Sequence, residues 1–260
     1  MNPSGVLGQI LEETRARLHR HPIDEGGLEE RARSCPLGPD AMASLRRPGI
    51  RIIAEVKRRS PSAGDIRRAA DPIAIAQTYE RAGAAAISVL TEPNHFGGSL
   101  DDLSAVTGAC SLPALRKDFI VSRRQILEAR IAGASMVLLI VAGLTDAELA
   151  ARHQDAIDLG LQPLVETHTP EEVHRALDAG ATLIGINSRD LTSLRVDLAV
   201  AEALRTLLPG DVTAVAESGI GGPEDLVRMR DAGFDVFLIG SALMEARDPA
   251  AALKRMLEVS

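Results

Sequence analysis

Glu55 and Lys57 stand two residues apart, and in an extended strand that spacing puts both side chains on one face. Lys117, Glu166, Asn187, Arg189 and Glu217 follow, each near the end of a short apolar run. Ammonium and carboxylate groups brought together can pass protons and steady transient charge. One charge after a strand is usually a solvated loop residue or half of a structural pair. Three glutamates, two lysines, an arginine and an asparagine at the ends of five such runs are harder to explain that way. Buried charge is costly unless paired, and a ring of it is rarely built for stability. Two later runs end in Ser218-Gly219 and Gly240-Ser241, whose backbone N–H groups and hydroxyls can hold an anion.

Other chemistries lack their residues. His168 and His174 are too far apart for a pair on one helical face, and none of the six histidines lies in a clear ligand motif, so no metal is expected. No serine sits on a Gly-x-Ser-x-Gly elbow, which leaves a hydrolase triad unsupported. Cys35 and Cys110 are too few for a disulfide scaffold and too widely spaced for a metal-ligand pair.

The charged residues need a frame, and the apolar runs supply it. Eight occur, at 50–56, 85–90, 113–115, 136–141, 163–165, 183–186, 212–216 and 235–239. They are short, rich in β-branched residues and not alternating, which is how buried parallel strands read. Helix-like stretches lie between them, three opening at Asp71-Pro72, Thr169-Pro170 and Gly222-Pro223. An Ala-Gly-Ala phrase or a near copy recurs around Gly83, Gly133, Gly180 and Gly233, with a weaker copy at Gly160. Glycine just past a helix takes positive φ without penalty, so the phrase marks helix-to-strand turns.

Eight strand–helix units predict an α/β fold, a closed (βα)8 TIM barrel over residues 49–260. An open doubly wound sheet would usually show a glycine-rich dinucleotide turn after its first strand, and none is present. Residues 1–48 are expected to form a helical extension packed on the barrel within a single domain. Its amphipathic stretch at 7–19 is expected to cover one end. In such a barrel the site lies at the C-terminal ends of the strands. The loops after strands seven and eight usually hold phosphate.

Composition narrows the partners. The 260-residue chain is 45% hydrophobic and 25% charged, ordinary for a globular protein, which argues against disorder or a rod. A formal net charge of -7 excludes a general basic face for nucleic acid. With four Phe, one Tyr and no Trp, a base-stacking platform is a poor reading too. The longest apolar stretch, 136–142, is far shorter than the roughly 20 residues of a membrane span. The first residues lack the basic and apolar regions of a signal peptide, and a reduced cytoplasm is the expected compartment. No sequence feature specifies an oligomer.

Residues 53–64 read Ile-Ala-Glu-Val-Lys-Arg-Arg-Ser-Pro-Ser-Ala-Gly. They are followed in order by Phe-Gly-Gly-Ser at 96–99, Leu-Arg-Lys-Asp-Phe at 115–119 and Leu-Val-Glu at 164–166. Gly-Ile-Asn-Ser-Arg-Asp-Leu at 185–191, Ala-Glu-Ser-Gly-Ile at 216–220 and Leu-Ile-Gly at 238–240 complete the set. In these motifs the chain resembles the indole-3-glycerol phosphate synthase family of tryptophan biosynthesis. It departs from the family pattern at Arg59 and Ser188, neither of which is assigned to chemistry.

The resemblance implies a substrate, 1-(2-carboxyphenylamino)-1-deoxyribulose 5-phosphate, converted to indole-3-glycerol phosphate with loss of carbon dioxide and water. It implies that Lys117 is the general acid at the ketone oxygen, with Lys57 a second cation that binds substrate or phosphate or shares that role. Crowding by cations and partial desolvation are expected to lower the lysine pKa into working range. Glu166 then fits the base of the dehydration, Glu55 orients the lysines, and Glu217 contacts a sugar hydroxyl or Lys57. Asn187, Arg189, Ser60 and Leu191 surround the anthranilate carboxylate and hydroxyls, and Phe96 and Phe119 wall the aryl ring. Ser218, Gly219, Gly240 and Ser241 hold the phosphate. No cofactor is expected, because the net reaction transfers no electrons.

Other phosphate-handling barrels compete with this reading. Isomerases of this class rely on carboxylate or Cys–Asp pairs at strand ends and fit a Glu-x-Lys ending badly. A Schiff-base aldolase would hold one lysine covalently. A non-catalytic barrel would have lost its charged rim. A paralogue with an altered substrate in specialised metabolism would keep the same residues and is the alternative carried forward.

Overall fold

The apolar runs become strands because their β-branched side chains fit a pleated surface that is buried on both faces. In the computed structural model, which describes residues 5–61, 64–67, 69–190 and 193–259, eight of these strands close into a parallel barrel. They are β1 (Arg51–Val56), β2 (Ala86–Leu90), β3 (Ala114–Lys117) and β4 (Met136–Ile140). β5 (Gln162–Thr167), β6 (Leu183–Asn187), β7 (Thr213–Glu217) and β8 (Val236–Ile239) follow. Each pairs with its successor, and β8 returns to β1 with Arg51 opposite Val236. A short antiparallel pair, Arg59–Ser60 with Gly64–Asp65, rises from the loop after β1. Nothing in the apolar pattern signals it.

Three helices precede the barrel: α1 (Gly5–Arg20), α2 (Glu25–Ser34) and α3 (Ala41–Leu45). α4 (Pro72–Ala82), α5 (Leu100–Ala109), α6 (Arg123–Ile131) and α7 (Asp146–Asp158) follow β1 to β4 in turn. α8 (Pro170–Asp178), α9 (Leu198–Arg205) and α10 (Pro223–Asp231) follow β5 to β7, and α11 (Ser241–Met244) and α12 (Pro249–Leu257) follow β8. The turn glycines Gly83, Gly133, Gly160, Gly180 and Gly233 all take positive φ. Asp71 and Thr169 cap α4 and α8 by accepting from Ile73 N and Glu172 N.

Two of the runs read too short. β3 continues through Arg116 and Lys117, and β5 through Glu166 and Thr167. The apolar pattern stops at Arg116, which turns outward to α6, and at Glu166, which turns inward, but the strands do not.

Closure divides the core in two. One cluster packs between sheet and helices, with Tyr79, Phe234 and Phe237 among its largest fully buried members. The other fills the barrel, with Ile53, Leu115, Leu164 and Val215 from the odd-numbered strands. Side chains of alternate strands share a level in such a barrel. From Glu55 the registered partners run to Ser88, Leu115, Met136 and Gln162. With strands tilted by roughly 36°, the level of Glu55 is met again at Lys117, Glu166 and Glu217. These four form one layer directly above Ile53, Leu115, Leu164 and Val215.

The N-terminal helices together reach both ends of the barrel, and the 7–19 stretch, within α1, meets only the upper one. At the lower end Ala41 and Leu45 of α3 join the interior cluster, and Ser44 donates to Ala85 O at 2.7 Å. α2 runs beside α6, joined by Arg123–Glu29 at 2.9 Å and by Arg130, which donates to Cys35 O at 2.6 Å. At the upper end α1 turns Val6, Leu7 and Ile10 towards the barrel mouth. Glu13 meets His95 at 2.9 Å and Arg15 donates to Gly143 O at 3.2 Å, which ties α1 to the loops after β2 and β4.

Candidate active site

A cavity of about 580 Å³ opens at the C-terminal ends of the strands, a volume suited to a small organic ligand. Glu55, Lys57, Ser60, Phe96, Lys117, Phe119, Glu166, Asn187, Arg189 and Glu217 line it. Ser218, Gly219, Gly240 and Ser241 line it too. Leu191 lies outside the described residues.

The layer of four sits at the floor. Lys117 Nζ lies 3.1 Å from Glu166 Oε2 and 3.2 Å from Glu217 Oε2. Burial alone would lower the Lys117 pKa, but Glu166, Glu217 and Glu55 raise it well above the ordinary value. This overturns the expectation that cations crowd this lysine and lower its pKa. Its neighbours are carboxylates, and Glu217 pairs with it and not with Lys57.

The two glutamates differ although both face one lysine. Burial opposes ionisation of Glu166, but Lys117, His168 and Asn187 hold it well below the usual carboxylate range. Burial, followed by repulsion from Glu166, outweighs Lys117 at Glu217 and raises its pKa to about 8. The two carboxylates are thus pushed in opposite directions, the ionised form being favoured at Glu166 and the protonated form at Glu217. Asn187 donates to Glu166 Oε1 at 3.0 Å, whereas Glu217 Oε1 is buried with no partner.

Two glycines make room for these side chains. A Cβ at Gly185 would collide with Glu217 Oε1, and one at Gly240 would collide with Glu55 Oε1. The Gly-Ile-Asn and Leu-Ile-Gly motifs thus leave space for carboxylates contributed by neighbouring strands.

Above the floor, Lys57 Nζ meets Glu55 Oε1 at 3.0 Å. Arg189 is braced by its own loop, donating to Leu194 O at 3.0 Å, while its backbone N–H donates to Asn187 Oδ1. The rings of Phe96 and Phe119 stand 6.0 Å apart at 39°, and Leu90, Leu138 and Ile140 extend the apolar wall. Phe119 is set by Asp118, which accepts from its backbone N–H and is held by Arg116 at 2.8 Å. Phe96 is set by Glu92, which accepts from the backbone N–H groups of Asn94, His95 and Phe96.

On the opposite rim Ser218 takes φ 63° and Gly219 φ 85°. A non-glycine residue in that region is strained by about 1–3 kcal/mol, which usually persists only where a site needs it. A side chain at Gly219 would also strike Val196 and Leu198. This turn lines the cavity beside Gly240 and Ser241, the latter the first residue of the short helix α11.

The residues missed in the sequence fall into two kinds. Val6, Leu7 and Ile10 carry a signal, the apolar stripe of α1, but nothing local says which end of the barrel it meets. His168 faces Glu166 from the end of β5 at 3.4 Å, and its lone position among polar residues gives no sign of this. Among the described residues no group of three or more His, Cys, Asp or Glu is arranged to hold a metal.

A family model described as indole-3-glycerol phosphate synthase matches residues 9–256. An indole-3-glycerol phosphate synthase from Mycobacterium ulcerans is 48% identical over 255 residues, covering 97% of this chain and 94% of that one. One from Streptomyces griseus is 47% identical over 252 residues, covering 95% and 93%. Among solved structures, 3-hexulose-6-phosphate synthase from Salmonella typhimurium aligns with a TM-score of 0.65 at 14% identity. It covers 81% of this chain and 98% of that one, a likeness of fold alone.

Proposed function

This chain belongs to the indole-3-glycerol phosphate synthase family, and from that premise we propose how its residues divide the work. It is a carboxy-lyase of tryptophan biosynthesis that turns 1-(2-carboxyphenylamino)-1-deoxyribulose 5-phosphate into indole-3-glycerol phosphate, carbon dioxide and water. The names of its full-length relatives favour this over a paralogue with another substrate.

Ring closure joins the aryl carbon that bears the carboxylate to the ketone carbon. The ketone oxygen gathers negative charge, and Lys117 protonates it. A lysine with a raised pKa still donates to an alkoxide, which is the stronger base. The carboxylate then leaves as carbon dioxide and restores the aromatic ring. Dehydration takes one proton from the new ring and sends the hydroxyl out as water, the oxygen receiving its second proton from Lys57, the other ammonium of the site. Glu166, ionised and turned by Asn187, takes the proton. Glu217, protonated near neutral pH, leaves Lys117 balanced by a single charge.

Glu55 steadies Lys57, whose ammonium binds the substrate's phosphate end or its hydroxyls. Arg189 and Ser60 receive the anthranilate carboxylate, and Phe96 and Phe119 face the aryl ring. The strained turn at Ser218-Gly219, with Gly240 and Ser241, holds the phosphate. Binding that remote group offsets the cost of bending a flexible chain into a reactive shape. The compartment proposed is the cytoplasm, which suits the free thiols of Cys35 and Cys110.

The observation that carries this reading is the largely enclosed lysine between two unequal glutamates at the floor of an apolar-walled cavity. The test is a steady-state assay of the purified chain with the carboxyphenylamino-deoxyribulose phosphate, followed by indole fluorescence in EDTA. Turnover without added metal or cofactor is expected. Absence of turnover from a folded sample would overturn the assignment.

A further inference from the structure

His168 is a largely enclosed titratable side chain beside the charged floor that has no task in the reaction above. It stands two residues after Glu166, so both leave the end of β5 on the same side. Its Nδ1 lies 3.2 Å from Glu172 Oε2, and its backbone N–H donates to the same oxygen at 2.7 Å. Glu172 is itself fixed in the first turn of α8, where its N–H donates to the capping hydroxyl of Thr169. On the other side His168 Nε2 lies 3.4 Å from Glu166 Oε1, within reach of charge attraction but long for a hydrogen bond, and has no other partner.

The charged groups facing this imidazole are Glu166 from its own strand and Glu172 from α8. Those facing Glu166 are His168, Lys117 on β3 and, across the lysine, Glu217 on β7. Lys117 is almost equidistant from the two glutamates and cannot tell them apart. The asymmetry comes from behind: Glu166 Oε1 has Asn187 and His168, and Glu217 Oε1 has neither.

We propose that His168, steadied by Glu172, is a positioning residue for Glu166: as an imidazolium between two carboxylates, it fixes Glu166 as the ionised base and leaves the shared proton to Glu217. Burial alone would lower the His168 pKa, but contact with Glu166 and Glu172 raises it to about 10, in keeping with a charged ring at neutral pH. The inference rests on the proposed reaction for its consequences, but the pairing can be measured without turnover.

The test joins kinetics to nitrogen NMR on the whole chain. In His168→Asn, which keeps a donor but loses the charge, kcat should fall about tenfold with KM within about twofold. The acidic limb of kcat/KM, which reports protonation of Glu166, should move up by about one pH unit. Glu172→Gln should move it the same way by less. By NMR the His168 ring should be doubly protonated at pH 8 and should titrate lower in Glu166→Gln. A ring neutral at pH 8 would overturn the proposal, as would variants that melt lower but keep the parent's pH profile. If the parent itself fails to turn over, the reaction is refuted, and the NMR result still decides the pairing.

Discussion

Two adjacent layers of one barrel show what function adds to a fold. Glu55, Lys117, Glu166 and Glu217 form the upper layer; Ile53, Leu115, Leu164 and Val215, two residues earlier on the same strands, form the lower. Backbone, spacing and enclosure by neighbouring strands are shared. The lower layer is what a barrel selects when packing decides, and each buried aliphatic contributes about 1.5–3 kcal/mol. In the upper layer the same positions carry ionisable groups whose desolvation their ion pairs and hydrogen bonds only partly offset. Glycine at 185 and 240 gives up packing so that two of those carboxylates fit. A layer that sacrifices stability at four positions, under a wall of Phe and Leu, is arranged for chemistry.

The comparison breaks first if the upper layer proves structural. Replacing Lys117 and Glu166 together, as Lys117→Met with Glu166→Leu, should abolish turnover, a loss of at least about 10⁴-fold. The melting midpoint should stay level or rise, because aliphatic side chains often replace a buried ion pair without penalty. Calorimetry and the fluorescence assay on one sample decide it. The lower layers give the converse. Leu183→Ala, near the end closed by α3, should cost about 2–5 kcal/mol in urea unfolding and leave kcat within about twofold.

A smaller effect sharpens the contrast through pH. His168 binds its proton more tightly in the folded chain, with a pKa of about 10 against an ordinary 6.5. Its stabilisation is therefore complete below pH 6.5 and lost as pH rises towards 10. Glu217, at about 8 against 4.5, acts in the same direction over the lower window. The melting midpoint should decline from neutral to alkaline pH, and His168→Asn should flatten that decline above pH 6.5. An equally steep decline in the variant would remove His168 from the charged network.

The barrel was legible because periodicity is a property of many residues at once. Eight apolar runs and five turn glycines agree on one architecture, and an error of a residue or two in a run leaves it intact. The polar residues at strand ends were legible for the same reason: fold rules fix which end holds the site. Pairings across the barrel were not. That Lys117 meets Glu217 and not Lys57 depends on strand stagger, which appears only when registers are traced. The sign of the Lys117 shift follows from those pairings, so it failed with them. His168 and the cavity-facing stripe of α1 depend on approaches between distant segments that local pattern does not encode.

The most direct test of a charged layer with divided roles is to measure Glu166→Gln and Glu217→Gln side by side across pH. Glu166→Gln should lose about 10²–10⁴ in kcat at every pH, with KM changed far less. Glu217→Gln mimics a carboxyl that is already neutral, so it should lose about tenfold or less at pH 7. It should also lack the fall in kcat/KM expected of the parent as Glu217 ionises near pH 8. Equal losses in the two variants, or a greater loss in Glu217→Gln, would contradict the division between base and proton holder.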